Sequence, residues 1–194
     1  LNKILKNVGW QVFIQLNFDK YCVMTALRDD CPMIKKIIIL IVLLPCLAIA
    51  GDLSKADSVL VKKHEKRLYL MKNKKPFKIY RIALGANSKG PKRRSGDERT
   101  PEGTYILDYK NSDSDFYKAI HISYPNDQDI KRAKEMGAAP GGDIMIHGQK
   151  NGAKNFSRIH RYVNWTDGCI AVTNTEMDEI WASVDVGTPI TIEP

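Results

Sequence analysis

A mainly β domain with a few helices is what the sequence predicts, on three observations. Short apolar segments with strand-like alternation recur between glycine, proline, asparagine and lysine turns. Two stretches carry helical signals, and no internal repeat or low-complexity segment interrupts the pattern. The chain has 194 residues and a formal charge of +8, long enough for one domain with its own core.

In order, residues 59–61, 67–71 and 77–84 read as strands, with Lys72-Asn-Lys-Lys-Pro76 turning the chain between the last two. Phe77 and Ile79 share one face of the third segment; Tyr80, Ile82 and Leu84 share the other. Residues 85–103 form a long loop rich in glycine, proline and positive charge, and loops of that length inside compact domains are often functional. Its Lys89, Lys92, Arg93, Arg94 and Arg99 make it either a solvated charged loop or an anion site. Residues 104–109 and 118–123 are further strands, the second carrying His121. Residues 127–137 read as a short helix, capped by Asn126 or Asp127 and closed by Gly137 in a left-handed conformation.

Residues 144–147 form a strand whose alternation sets Ile144 and Ile146 on one face and Met145 and His147 on the other. His147 is thereby expected to face a cleft while its neighbours face the core. After the strand 170–172, Thr173-Asn-Thr-Glu176 is a capping-box start, in which Thr173 and Glu176 satisfy each other's amides. Met177, Ile180, Trp181 and Val184 follow as one apolar helical stripe, read as a core face. Gly187-Thr-Pro189 then turns into a last strand, 190–192.

The N-terminal stretch speaks to compartment. Met33-Ile-Lys-Lys36 precedes an apolar run over 37–50 that ends in Ala48-Ile-Ala50, the layout of an export signal with small residues at the cut. The run is short of the ~20 apolar residues that a spanning helix needs. The expected division is therefore an extension over 1–32 upstream of the true start at Met33, a signal peptide over 33–50, and a mature domain over 51–194. A retained anchor is the alternative, and lipidation at Cys46 is opposed by Pro45 just before it. An exported basic protein meets anionic wall polymer or lipid head groups rather than nucleic acid, so the expected location is the periplasm or cell envelope.

Export also changes the cysteine arithmetic. Cys22, Cys31 and Cys46 lie upstream of the cut, so the mature domain keeps Cys169 alone. In an oxidising compartment a lone cysteine is inert and buried, bonded to a partner chain, or free and reactive. Cys169 follows Asp167-Gly168, and His147 precedes Gly148. A thiol becomes a strong nucleophile beside a base, and histidine is the side chain suited to that exchange near neutral pH. The pair points to acyl-transfer chemistry.

Three motifs, Gly96-Asp-Glu-Arg-Thr-Pro-Glu-Gly-Thr-Tyr105, Ile144-Met-Ile-His-Gly148 and Thr166-Asp-Gly-Cys-Ile170, resemble in content and order the L,D-transpeptidase catalytic domain, the YkuD family. The resemblance covers roughly 58–194. It implies a β-sandwich with a cradle for the nucleophile, and peptidoglycan stem peptides as substrate, cut between an L-centre and a terminal D-residue. Carried over by position, it makes Cys169 the nucleophile and His147 the base. The Gly168 and Cys169 amides become oxyanion donors, and Gly148 holds the turn beside the histidine. Thr166, His121, His160 and Arg99 are candidates for substrate contact, with Asp167 as a supporting residue. No cofactor and no metal are implied.

The sequence departs from the commonest family pattern, Ser-His-Gly-Cys followed by a hydrophobe and arginine. Thr166-Asp167 replaces Ser-His and Ala171 replaces the arginine, a version similar to the YafK-like branch. The acceptor of the acyl group thus stays open between an amine, on a second stem or a wall-linked lipoprotein, and water. Rival expectations are a cysteine hydrolase or amidase acting on peptidoglycan linkages, and a non-catalytic wall-binding module. A metalloenzyme using His121, His147, His160 and Cys169 is disfavoured because the spacings match no zinc pattern. The sequence carries no signal for oligomeric state.

Overall fold

The computed structural model describes residues 54–152 and 162–194. The signal segment, Cys46 and His160, all singled out above, lie outside the described residues. The element order is β1 (Ser58–Lys62), β2 (Arg67–Lys72), β3 (Lys75–Arg81), β4 (Gly103–Ser114), β5 (Tyr117–Ile122), α1 (Asp127–Glu135), β6 (Met145–His147), β7 (Ile170–Ala171), α2 (Asn174–Ser183) and β8 (Thr188–Glu193). Among the described residues the architecture is mainly β with two helices, as the patterning predicts.

The eight strands of the described residues belong to one sheet in the order β3-β2-β1-β8-β4-β5-β6-β7. The expected sandwich is this sheet curled until its edges meet: Ala83, just past β3, bridges to Ala171 of β7, each amide donating to the other's carbonyl at 2.9 Å. The predicted strand over 77–84 therefore splits. Its first part pairs with β2, and at Ile82 the chain leaves that strand, so that Ala83 and Gly85 bridge to Ala171 and Thr166. This crossing carries the chain from one edge of the sheet to the other.

Alternation sets the core. Val59 and Val61 of β1, Leu68 and Leu70 of β2, Tyr105 and Leu107 of β4, Ile120 and Ile122 of β5, and Ile190 and Ile192 of β8 are buried together. Met177, Ile180 and Val184 of the predicted stripe pack against them, with Trp181 partly buried at the margin. Each fully buried side chain of this size contributes about 1.5–3 kcal/mol.

Both helices start on capping boxes. Thr173 caps α2 with Glu176, as predicted. Asn126 caps α1, and Asp129 returns a bond to the Asn126 amide, which makes this start a box of the same kind. Gly137 follows the end of α1 with φ +65°, the left-handed turn expected of it.

β4 runs five residues past its predicted end. Residues 110–114 are polar and read as loop, yet they pair with β5 through two register shifts. The hairpin tip is held by Asn151, which accepts from the Tyr117 amide at 3.1 Å and donates to the Ser114 carbonyl at 2.9 Å. That tip brings Phe116 over the region where β6 and β7 meet.

Candidate active site

β6 and β7 run parallel, with Ile146 opposite Ile170 and His147 opposite Ala171. Side chains alternate along a strand, so Cys169, two residues before Ala171, falls on the same face as His147. Both line one cleft of about 280 Å³, together with Met145 and Asp143 from the β6 side and Trp165, Thr166 and Asp167 from the approach to β7. Ser114 and Phe116 of the hairpin tip complete its wall. Ile144 and Ile146 are buried in the core, so the two faces predicted for this strand divide as expected.

His147 is buried, and its Nδ1 lies 2.6 Å from the Gly148 carbonyl oxygen. A carbonyl only accepts, so Nδ1 carries the hydrogen of this bond, and in the neutral ring Nε2 carries the lone pair. Phe116 and Trp165 flank the imidazole, with ring centroids 4.7 and 5.8 Å away. Cys169 is half-buried, accepts the Met145 amide and donates from Sγ to the Asp143 carbonyl at 3.4 Å. Burial pushes its thiol up, and the charges of Asp167 and Asp143 push the same way; the Met145 amide and, more weakly, Lys92 oppose them.

Backbone packing fixes the approach to the thiol. Gly168 has φ +135°, and a Cβ there would sit 2.7 Å from the Arg99 carbonyl oxygen. A Cβ on Gly85 would meet the Glu98 carbonyl at 2.1 Å and the Gly168 Cα at 3.1 Å. Only glycine fits either place. The end of the 85–103 loop thus lies directly against the residue before Cys169.

The Gly168 amide donates to Thr166 Oγ1 at 3.2 Å, a bond within its own loop. Thr166 is buried, and its hydroxyl also donates to the Cys169 carbonyl at 2.7 Å; although it lines the cleft, it braces the loop. The Arg99 guanidinium lies beside Gly90 and outside the cleft lining, so its contribution to the site is its carbonyl against Gly168. Gly148 stands where a Cβ would be 2.7 Å from Asn174 Oδ1, so the close approach of α2 requires glycine beside the histidine. His121 pairs in register with Met145 but lies outside the cleft lining, bonded to Asp108 at 2.7 Å and stacked on Tyr109. Asp167 is exposed on the cleft.

Sequence reading assigned no role to Asp143, Phe116 or Trp165. Phe116 sits in a polar run at a hairpin tip, and nothing local marks it as a wall of the site. In the basic loop, Lys92 is buried and bonded to Asp97 at 2.8 Å, an internal ion pair, while Lys89, Arg93 and Arg94 are exposed. Among the described residues, no group of three or more His, Cys, Asp or Glu side chains is arranged to hold a metal ion. A more open depression of about 460 Å³ lies at the start of α1, lined by Glu102, Asn126 and Arg132 among others, and has no cysteine or histidine.

The family model "YkuD: L,D-transpeptidase catalytic domain" matches residues 56–192. The chain is 29% identical to YafK of Escherichia coli K12, a protein that carries the L,D-transpeptidase name only provisionally, over 76% of this chain and 62% of YafK. It is also similar to the crystal structure of Pgp2, a helical cell shape determining protein of Campylobacter jejuni. There the identity is 30% and the TM-score 0.53, covering 70% of this chain and 46% of Pgp2. The chain thus spans under two thirds of YafK and about half of Pgp2. The family match takes in well over half of the chain, with the thiol, the imidazole and the loop behind them, and the chain belongs to the YkuD family of L,D-transpeptidase catalytic domains.

Proposed function

We propose that the chain is a peptidoglycan L,D-transpeptidase that transfers an acyl group through a thioester on Cys169, with His147 as base. The observation that carries this is the shared cleft: a thiol and an imidazole whose Nδ1 is bonded to the Gly148 carbonyl line one opening in a member of this family. Export through residues 33–50 and action of the 51–194 domain in the cell envelope belong to the same proposal.

In the first half-reaction His147 takes the Sγ proton as sulfur attacks the carbonyl carbon of the L-centre in a tetrapeptide stem. The carbonyl oxygen takes the negative charge, and we assign it to the Cys169 amide. The C–N bond then breaks, and the imidazolium returns the proton to the departing D-residue. In the second half an acceptor amine attacks the thioester carbon and gives its proton to His147. The sulfur leaves as thiolate and regains that proton, so the cycle closes without net change in the enzyme. Removing one oxyanion donor costs ~100-fold or more in rate, so the backbone around Cys169 matters as much as its sulfur.

Incubation of the purified protein with tetrapeptide muropeptides, followed by chromatography and mass spectrometry, tests this reading. The expected products are 3–3 cross-linked dimers and free D-alanine, absent with C169A. Shortened or released stems without dimers would make water the acceptor and overturn transfer. Unchanged muropeptides would overturn the enzymatic reading in favour of a wall-binding module.

A further inference from the structure

The Lys63 ammonium is buried and spends all three of its hydrogens on the 85–103 loop. It donates to the Gly90 carbonyl at 2.7 Å, the Thr100 carbonyl at 2.9 Å and Glu102 Oε1 at 2.7 Å. Lys62 ends β1, so Lys63 is held by the sheet and holds the loop against it. Thr100 is fully buried and accepts the Gly85 amide at 3.1 Å through Oγ1. A second internal ion pair grips the same segment from its other side. Asp97 accepts Lys92 Nζ at 2.8 Å and the amides of Arg93, Arg94 and Arg99 at 2.7, 3.1 and 3.2 Å. Between these two clamps stands the Arg99 carbonyl, the group that abuts Gly168.

Neither clamp lines the cleft. A buried charge is costly to keep, and an apolar pair of similar volume would serve stability at least as well. What the clamps do uniquely is fix the Arg99 carbonyl in position and direction, and with it the peptide leading from Gly168 into Cys169. We infer that Lys63 is a positioning residue for acyl transfer: through Thr100 and Arg99 it sets the orientation of the backbone amide that holds the oxyanion. The inference rests on the transpeptidase reading above, since only acyl chemistry uses that amide.

Two reagents separate this role from general support of the fold. Acylation of Cys169 by a carbapenem develops an oxyanion and needs the amide; alkylation by iodoacetamide displaces iodide at a saturated carbon and does not. The expected result for K63M is carbapenem acylation slowed by ~100-fold, the scale of a lost oxyanion donor, with alkylation unchanged within about twofold. T100V, which keeps the shape of Thr100 and removes its hydroxyl, is expected to show the same split and serves if K63M does not fold. E102Q leaves both carbonyl contacts of Lys63 in place and is expected to acylate at close to the wild-type rate.

Acylation of K63M or T100V at the wild-type rate overturns the inference. Variants in which both rates fall together also overturn it, because the sulfur itself has then moved. Wild-type protein that alkylates but never acylates overturns the transpeptidase reading, and the role of Lys63 with it.

Discussion

Two carboxylates, Asp143 and Asp167, stand beside the thiol, and neither helps it ionise. Burial raises the Cys169 thiol first, and these charges add to that effect. Thiolate increases as pH rises, so alkylation of wild-type Cys169 should reach its plateau at higher pH than that of an ordinary exposed cysteine. D167N removes one opposing charge and should move the midpoint of the iodoacetamide rate profile to lower pH. An unmoved midpoint, or one moved upward, would contradict the electrostatic assignment. Cys169 and His147 were legible in the sequence because each reactive side chain sits beside a glycine in a motif of known order. Gly168 was legible as a position needing glycine, but not the direction of its amide. That direction depends on Thr166, whose hydroxyl choice is set by the folded loop.

At the scale of elements, α2 braces the histidine strand as well as the core. Asn174, its first residue, accepts the Gln149 amide at 2.8 Å and fills the space that Gly148 leaves. The helix depends on its capping box, since Thr173 accepts the Glu176 amide while Glu176 accepts the Thr173 amide. T173A should cost about 1 kcal/mol, read as a fall of a few degrees in Tm. Carbapenem acylation below that Tm should stay near wild type, because Asn174 and Gly148 remain in contact. A loss of acylation without a loss of stability would contradict the division drawn here between support and chemistry.

Both helix starts were readable because caps are local signals. The extension of β4 through residues 110–114 was not, because pairing with β5 overrides their polar composition. The split of the predicted 77–84 strand has the same origin: its second half answers to β7, nearly ninety positions later, which no local pattern announces.

For the whole molecule, closure of the sheet brings the chemistry together. The edge-to-edge bridge of Ala83 with Ala171 draws the start of the 85–103 loop to the cysteine strand, and Lys63 fastens the loop's other end to β1. Three sequence motifs distant along the chain thereby meet at one place, which explains why their order in the sequence was informative and their contacts were not. The buried position of Lys92 illustrates the limit, since a lysine in a basic loop reads as solvated until its carboxylate partner is found in space. The central claim is that Cys169 forms an acyl-enzyme with the help of His147. Intact-mass and peptide mass spectrometry of the full chain after exposure to a carbapenem tests it most directly. The account predicts one adduct, mapped to the Cys169 peptide, absent in C169A and formed ~100-fold or more slowly in H147A. No adduct on the wild-type chain, or one that persists in C169A, would contradict it.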